Sequence, residues 1–189
     1  MATTDKRMVN GVDVSALEEA IEAIDDDPAV GSFTFKAATE WTDALKAETV
    51  IDEFDQAGET IRTREFTLEG DEPEQILGER TAPNAVETLL GALGSCLTVG
   101  YAAHAAAMGI DLESLHVEMA GDVDLRGFLG IDDDDDVRPG YESIECTVAI
   151  DADADESQLR ALRDRVESTS PLMDVITNEV PIATHLVLE

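Results

Sequence analysis

Apolar and polar positions change period several times along the chain, and each change marks an element. Between Val14 and Ile24, Leu17, Ala20, Ile21 and Ile24 recur at i, i+3, i+4 and i+7, which predicts a helix. Asp13 or Ser15 can cap its start, and the acidic run from Asp25 into Pro28 ends it. From Phe33 to Trp41 the period drops to two. Phe33, Phe35, Ala37, Thr39 and Trp41 share one face while Lys36 and Glu40 take the other, as in a half-buried strand. Leu45 to Ile51 predicts a partner strand, and after a turn at Ala57 and Gly58 a third strand runs from Thr60 to Leu68. Its alternation puts Arg62 and Arg64 on the face of Phe66 and Leu68, where a buried charge would need a partner.

Pro83 suits the first turn of a helix, and a long one is predicted over 84–108. Leu89, Leu93, Leu97 and Tyr101 recur every four residues, while Gly91, Gly94, Ser95, Gly100 and four alanines leave the other flank small enough for a neighbouring helix to approach closely. A helix apolar on nearly every side belongs in a core. Two alternating stretches follow, Leu115 to Val123 and Ile144 to Ile150, separated by a predicted loop from Gly127 to Gly140 that holds Asp132 to Asp136. Asp155 can cap a helix from Glu156 to about Ser168 with Leu159, Leu162 and Val166 inward. A short helix from Pro171 to Thr177 then leads to a predicted last strand, Val180 to Leu188. Strands and helices are grouped rather than alternating, which predicts an α+β fold. Residues 1–30 read as an N-terminal helical appendage and residues 31–189 as the main domain.

Charge changes the reading of the surface. The 189 residues carry 43 acidic and 12 basic side chains, for a net charge of −31. Nucleic acid and anionic membranes are excluded as partners, because both call for clustered Lys and Arg. Disorder is excluded by a hydrophobic fraction of 43% spread through the whole chain. Three lysines (Lys6, Lys36 and Lys46) stand against nine arginines, and aspartates abound outside the obvious runs. Self-repulsion destabilises such a surface in ordinary buffer, whereas at about 1 M salt the screening length falls to about 3 Å. The composition predicts adaptation to a very salty interior. Dialysis into low salt is expected to lower the melting midpoint sharply, and an unchanged midpoint would contradict this. The start of the chain lacks the apolar region of a secretory signal, and no run reaches the roughly 18 to 20 apolar residues of a membrane span. A cytoplasmic protein with free thiols is expected.

Two cysteines are present, in no zinc-binding spacing. Cys96 lies inside the long helix among small residues that leave room for a ligand. A reactive thiol needs a nearby cation or donor, and Arg62, Arg64 and Arg80 precede the helix as candidates. Cys146 shares the parity of Ile144, Val148 and Ile150 and reads as a core residue. His104 follows Cys96 by eight residues, nearly the same helix face but roughly 12 Å along the axis. Asp151, Asp153 and Asp155 begin like a calcium loop, yet the turn glycine and the closing glutamate are replaced by Glu156 and Leu162, so no metal site is expected.

Several stretches together resemble the OsmC-like family, which includes the organic hydroperoxide resistance proteins. They are Gly70 to Pro73, Leu77 and Gly78, the run from Ala82 through Pro83 and Cys96 to Thr98, Gly121 to Leu125, Gly140 and Tyr141, Ser170 to Asp174, and Asn178 to Ile182. The resemblance spans Phe33 to Val187, and its specific part is the stretch from Pro83 to Cys96. It implies antiparallel sheets wrapped around a long central helix in an intertwined homodimer, with no metal or organic cofactor. It also implies reduction of organic hydroperoxides by two cysteines, the first activated by an arginine and a glutamate. Cys96 matches the attacking cysteine. The resolving position falls on Ser170, which cannot form a disulfide. The activating glutamate would fall on Val86; its neighbour Glu87 is the carboxylate at hand, about 900° of helix before Cys96 and so half a turn out of phase.

Two functions follow from the resemblance. One is a one-cysteine, thiol-dependent hydroperoxide reductase acting in oxidative-stress defence, with Cys96 as attacking thiolate, Arg62, Arg64, Arg80 and Glu87 as its activating candidates, and an external thiol as reductant. The other is a non-catalytic dimer that binds a small apolar ligand or senses oxidants. In either, Ser95, Tyr101 and Ser170 are the expected ligand-contacting residues.

Overall fold

The computed structural model describes residues 6–131 and 137–188, and its elements fall into two compact units, Met1–Leu89 and Leu90–Glu189. The fold is α+β, as the grouping of periods predicts. In the first unit a small hairpin, β1 (Met8–Val9) and β2 (Val12–Asp13), leads into α1 (Val14–Asp26). Asp13 caps this helix by accepting the N–H of Ala16 at 3.2 Å. Asp27 closes it and then caps the 3-10 turn Pro28–Gly31.

The sheet of this unit is built on one long strand, β5 (Lys46–Gln56). β6 (Glu59–Gly70) pairs with one edge of it; β3 (Phe33–Phe35) and β4 (Ala38–Asp43) share the other, all antiparallel. The single strand predicted from Phe33 to Trp41 is therefore two. The break at Lys36 and Ala37 coincides with an irregularity in β5 between Ile51 and Glu53, where the carbonyl of Asp52 accepts the Thr63 hydroxyl at 3.1 Å. The turn at Ala57 and Gly58 is as predicted. Both residues adopt positive φ, 50° and 83°, which suits a two-residue hairpin to the twist of its strands.

The two arginines of β6 need no buried partner, because their face is open to solvent. Arg64 lies over the ring of Phe66 at 4.6 Å, and Arg62, 86% exposed, sits 3.9 Å from Glu53. Beyond β6 the chain folds around the carboxylate of Asp71, itself 3% exposed. Its oxygens accept the N–H groups of Glu72, Glu79 and Thr81 and the hydroxyl of Thr81, at 2.7 to 3.3 Å. Gly78 closes the loop: a Cβ there would fall 1.7 Å from the carbonyl oxygen of Glu72, so no side chain fits.

The hydrogen bonds to Asp71, led by the Thr81 N–H, hold its carboxyl at about 2, below the ordinary aspartate range. A carboxylate whose folded value is depressed stabilises the fold above its unfolded value, and loses that contribution as pH falls toward the folded one. Acid unfolding is expected to steepen between about pH 4 and about pH 2. Asp71→Asn, which cannot accept the same four bonds, is expected to remove that component and to lower the melting midpoint by several degrees at neutral pH. A superimposable acid titration of parent and variant would contradict this.

The long helix α2 (Ala85–Met108) follows, starting one residue after its predicted bound. Within the second unit, Leu93, Leu97, Tyr101 and Ala105 form a buried stripe every four residues, clustered with Ile110 and with Leu162 and Val166 of α4 (Glu156–Thr169). β7 (Leu112–Val123) and β8 (Tyr141–Ala152) pair antiparallel and lay Leu115, Val117, Met119, Ile144, Val148 and Ile150 against this cluster. Of the small flank of α2, Gly100 serves close helix packing, since a Cβ there would lie 3.2 Å from Val166, whereas Gly91 faces open space. By length and composition α2 could cross a bilayer, but its stripe is packed inside this unit. Asp155 and Gln158 form a reciprocal capping box at the start of α4, and α5 (Pro171–Thr177) follows directly.

Three readings of the pattern are corrected. The predicted loop from Gly127 lies partly within a helix, α3 (Leu125–Leu129), which Asp124 caps and Gly130 terminates at positive φ; Asp132 to Asp136 lie outside the described residues. Cys146 shares core parity yet is exposed. The predicted last strand forms no ladder among the described residues: Val180 to Leu188 are exposed, Ile182 to 86%. Alternation marks two faces, but a strand also requires a neighbouring backbone to pair with.

Candidate functional site

Asn84 caps α2. Its side chain accepts the N–H of Glu87 at 2.9 Å while Glu87 accepts the N–H of Asn84 at 2.9 Å, the reciprocal arrangement of a capping box. The Glu87 carboxylate also receives both terminal nitrogens of Arg80, Nη2 at 2.7 Å from Oε1 and Nη1 on Oε2. This bidentate pair, aided by the Asn84 N–H, holds the Glu87 carboxyl below its ordinary range. Arg80 is delivered by the Asp71 loop, in left-handed backbone (φ 54°), with its N–H on the Glu72 carbonyl at 3.1 Å. Among the three candidate arginines, Arg80 is thus the one joined to Glu87; Arg62 and Arg64 face solvent on β6.

In the second unit, Cys96 lines an apolar cavity of about 350 Å³. α2 contributes Ser95, Cys96, Val99, Gly100 and His104; α4 and α5 contribute Val166, Thr169, Ser170 and Pro171. Cys96 is partly exposed, and Ser170 Oγ lies 3.4 Å from its sulfur. Ser170 is held in place as the cap of α5, accepting the N–H of Met173 at 3.2 Å. Farther along α2, His104 Nε2 meets the Thr169 hydroxyl at 2.9 Å. That hydroxyl donates its one proton to the Arg165 carbonyl at 2.8 Å, so His104 must donate from Nε2. Desolvation, with a smaller effect of the Arg165 charge, lowers the imidazole below its ordinary range.

The expected ligand-contacting residues divide. Ser95 and Ser170 line the Cys96 cavity. Tyr101 is buried in the core and borders a separate hollow of about 160 Å³ with Val148, Ile150, Leu159 and Arg163; burial raises its hydroxyl above the ordinary tyrosine range. Thr169, which carries no signal of its own in the sequence, and His104, too far along the helix to bond the thiol of its own chain, both share a cavity with Cys96. Packing of α4 against α2 builds that cavity, and no spacing within α2 records it.

The chemistry of this arrangement is that of a thiol in an apolar recess, with a hydroxyl at the sulfur and an imidazole elsewhere on the same lining. It can admit a small apolar molecule and offer it a sulfur nucleophile. Among the described residues, no group of three or more His, Cys, Asp or Glu side chains is placed to hold a metal ion. Asp155, the last acid of the calcium-like run, is occupied as the cap of α4.

Comparison with curated proteins gives no match. Among solved structures, an OsmC-like protein from Mycoplasma pneumoniae aligns over 76% of this chain and 87% of its own, at 14% identity and a TM-score of 0.58. A candidate osmotic-stress-induced and detoxification-response protein from Psychrobacter arcticus aligns over 72% and 84%, at 14% identity and a TM-score of 0.53. At such identities the likeness concerns the fold. The model of the family described as OsmC-like protein matches residues 78–185, more than half of the sequence and the part that carries Cys96 and Ser170, and the chain belongs to that OsmC-like family.

Proposed function

We propose that the chain is a one-cysteine, thiol-dependent reductase of organic hydroperoxides, working as a cytoplasmic homodimer in defence against oxidants. The observation that carries this reading is the sulfur of Cys96 lining an apolar cavity with the Ser170 hydroxyl 3.4 Å away. A neutral, apolar hydroperoxide suits such a recess, and suits a surface of net charge −31 that repels anions.

The Cys96 thiolate attacks the distal peroxide oxygen. The S–O bond forms, the O–O bond breaks, and the leaving alkoxide takes a proton to become the alcohol. Sulfur is oxidised to the sulfenic acid and the peroxide is reduced. Ser170 holds the resolving position with a hydroxyl, so resolution passes to an external thiol. One thiol displaces water to give a mixed disulfide, and a second frees Cys96 as the external disulfide leaves. The resemblance assigns activation to an arginine and a glutamate, and Arg80 and Glu87, which pair with each other, are the candidates for that role.

Turnover tests the proposal. In molar salt, with a small dithiol as reductant, catalytic protein is expected to consume cumene hydroperoxide at a rate proportional to protein concentration. Oxidation of Cys96 that stops after one equivalent would mark an oxidant sensor instead. Hydroperoxide left intact together with an unmodified Cys96 would leave a ligand-binding dimer.

A further inference from the structure

The contact between Cys96 and Ser170 does more than locate the sulfur. A serine hydroxyl has one proton and two lone pairs. Ser170 Oγ accepts the N–H of Met173 at 3.2 Å as the cap of α5, and lies 3.4 Å from Cys96 Sγ. The cap bond uses the oxygen as acceptor, so the hydroxyl proton is left to give, and the cysteine sulfur is the partner beside it. Ser170 is 7% exposed, so water has little access to replace that partner. A neutral thiol and a hydroxyl can each donate to the other. A sulfur anion has no proton, so in that state the contact runs one way, from oxygen to sulfur. A hydrogen bond to an ionised acceptor is roughly twice as strong as one between neutral groups.

We propose that Ser170 is a positioning residue for Cys96, its hydroxyl donating to the sulfur anion and holding it toward the cavity. This deepens the reading of Cys96 as an attacking thiolate and rests on it. The serine proton stays on its oxygen throughout; the electron pair that forms the S–O bond comes from sulfur, and the proton for the leaving alkoxide comes from solvent. The side chain that orients the sulfur also denies it an internal disulfide partner. One substitution at this position therefore joins two properties, a sulfur held for attack and a sulfenic acid left for an external thiol.

Alkylation tests this without any peroxide. Cys96 and Cys146 are followed separately by peptide mass spectrometry during reaction with iodoacetamide in molar salt. Ser170→Ala is expected to slow alkylation of Cys96 roughly tenfold, the size of one hydrogen bond to a charged group, and to leave Cys146 unchanged. Ser170→Thr keeps the hydroxyl and is expected to keep the rate. Because Ser170 also caps α5, Ser170→Gly is the second variant: glycine caps a helix nearly as well but has no hydroxyl. The same slowing is expected there, at a melting midpoint close to that of the parent. Rates at or above the parent's in the alanine and glycine variants would overturn the proposal, as would a slowing that threonine fails to prevent. A hydroxyl-dependent alkylation rate in a protein inert to cumene hydroperoxide would uphold the hydrogen bond and remove the peroxidase reading, so the two failures are distinguishable.

Discussion

Cys96→Ser is expected to reduce hydroperoxide consumption to the buffer background, while Cys146→Ser leaves it unchanged. The two thiols differ in what surrounds them. Cys96 lines the apolar cavity on α2 and has the Ser170 hydroxyl beside its sulfur. Cys146 sits on β8 opposite Met119, outside the residues lining that cavity. Desolvation, with the nearby Glu167 charge, raises its thiol above the ordinary cysteine range. The thiolate is the attacking species, so a raised thiol is the poorer nucleophile at a given pH. A serine hydroxyl at position 96 is a far weaker nucleophile than a thiolate and cannot enter the sulfenic acid cycle. Peroxide consumption and thiol titration on the two single variants read the difference directly. Equal losses in both, or a loss in Cys146→Ser alone, would show that the cavity is not where the oxygen is transferred.

Leu162→Ala is expected to destabilise the second unit by about 2–5 kcal/mol, read as a lowered denaturant midpoint. Leu162 has 0% exposure and lies in the cluster with Leu93, Leu97, Tyr101, Ala105, Ile110 and Val166. Removing its branched end takes away the transfer free energy of the lost methyls and leaves a void that α2 and α4 fill only in part. The same two helices build the Cys96 cavity, Gly100 and His104 from one and Val166 and Thr169 from the other. Alkylation of Cys96 in this variant is therefore expected to change even where the protein remains folded. A variant with parental midpoint would mean that the site collapses without loss, and would contradict the packing described for this core.

The sequence made the long elements legible because their signals are local and redundant. α4 shows its capping box and its inward Leu159, Leu162 and Val166 within one short stretch, and both the cap and the face are found. The stripe on α2 is found for the same reason. The last strand is misread because alternation from Val180 to Leu188 records faces and not a partner. Cys146 is misread because parity assigns a side of β8 but not whether every position on it is covered: Ile144 and Val148 flank it and pack against the cluster, while Cys146 is exposed. The site was legible in part. Cys96, Ser95 and Ser170 follow from position and resemblance, and Arg80 and Glu87 were among the candidates. Their pairing was not legible, because it depends on the loop that closes over Asp71. His104 and Thr169 are separated by a long stretch of sequence and meet only once α4 packs on α2.

Net charge bears on the solvent more than on the reaction. The ion pairs are mostly exposed, such as Arg160 with Glu156 and Arg163 with Asp164, and exposed pairs contribute little to stability. What they leave is a large net negative charge, and stability and activity are expected to be highest in molar salt, where such a surface is screened.

The central claim is that the Cys96 sulfur alone takes the oxygen of an organic hydroperoxide. Its most direct measurement is peptide mass spectrometry of the reduced protein after one equivalent of cumene hydroperoxide in molar salt, with a sulfenic-acid probe present. The expected result is one probe on Cys96, none on Cys146, and no disulfide between them. An unlabelled Cys96 with the hydroperoxide still intact would contradict it.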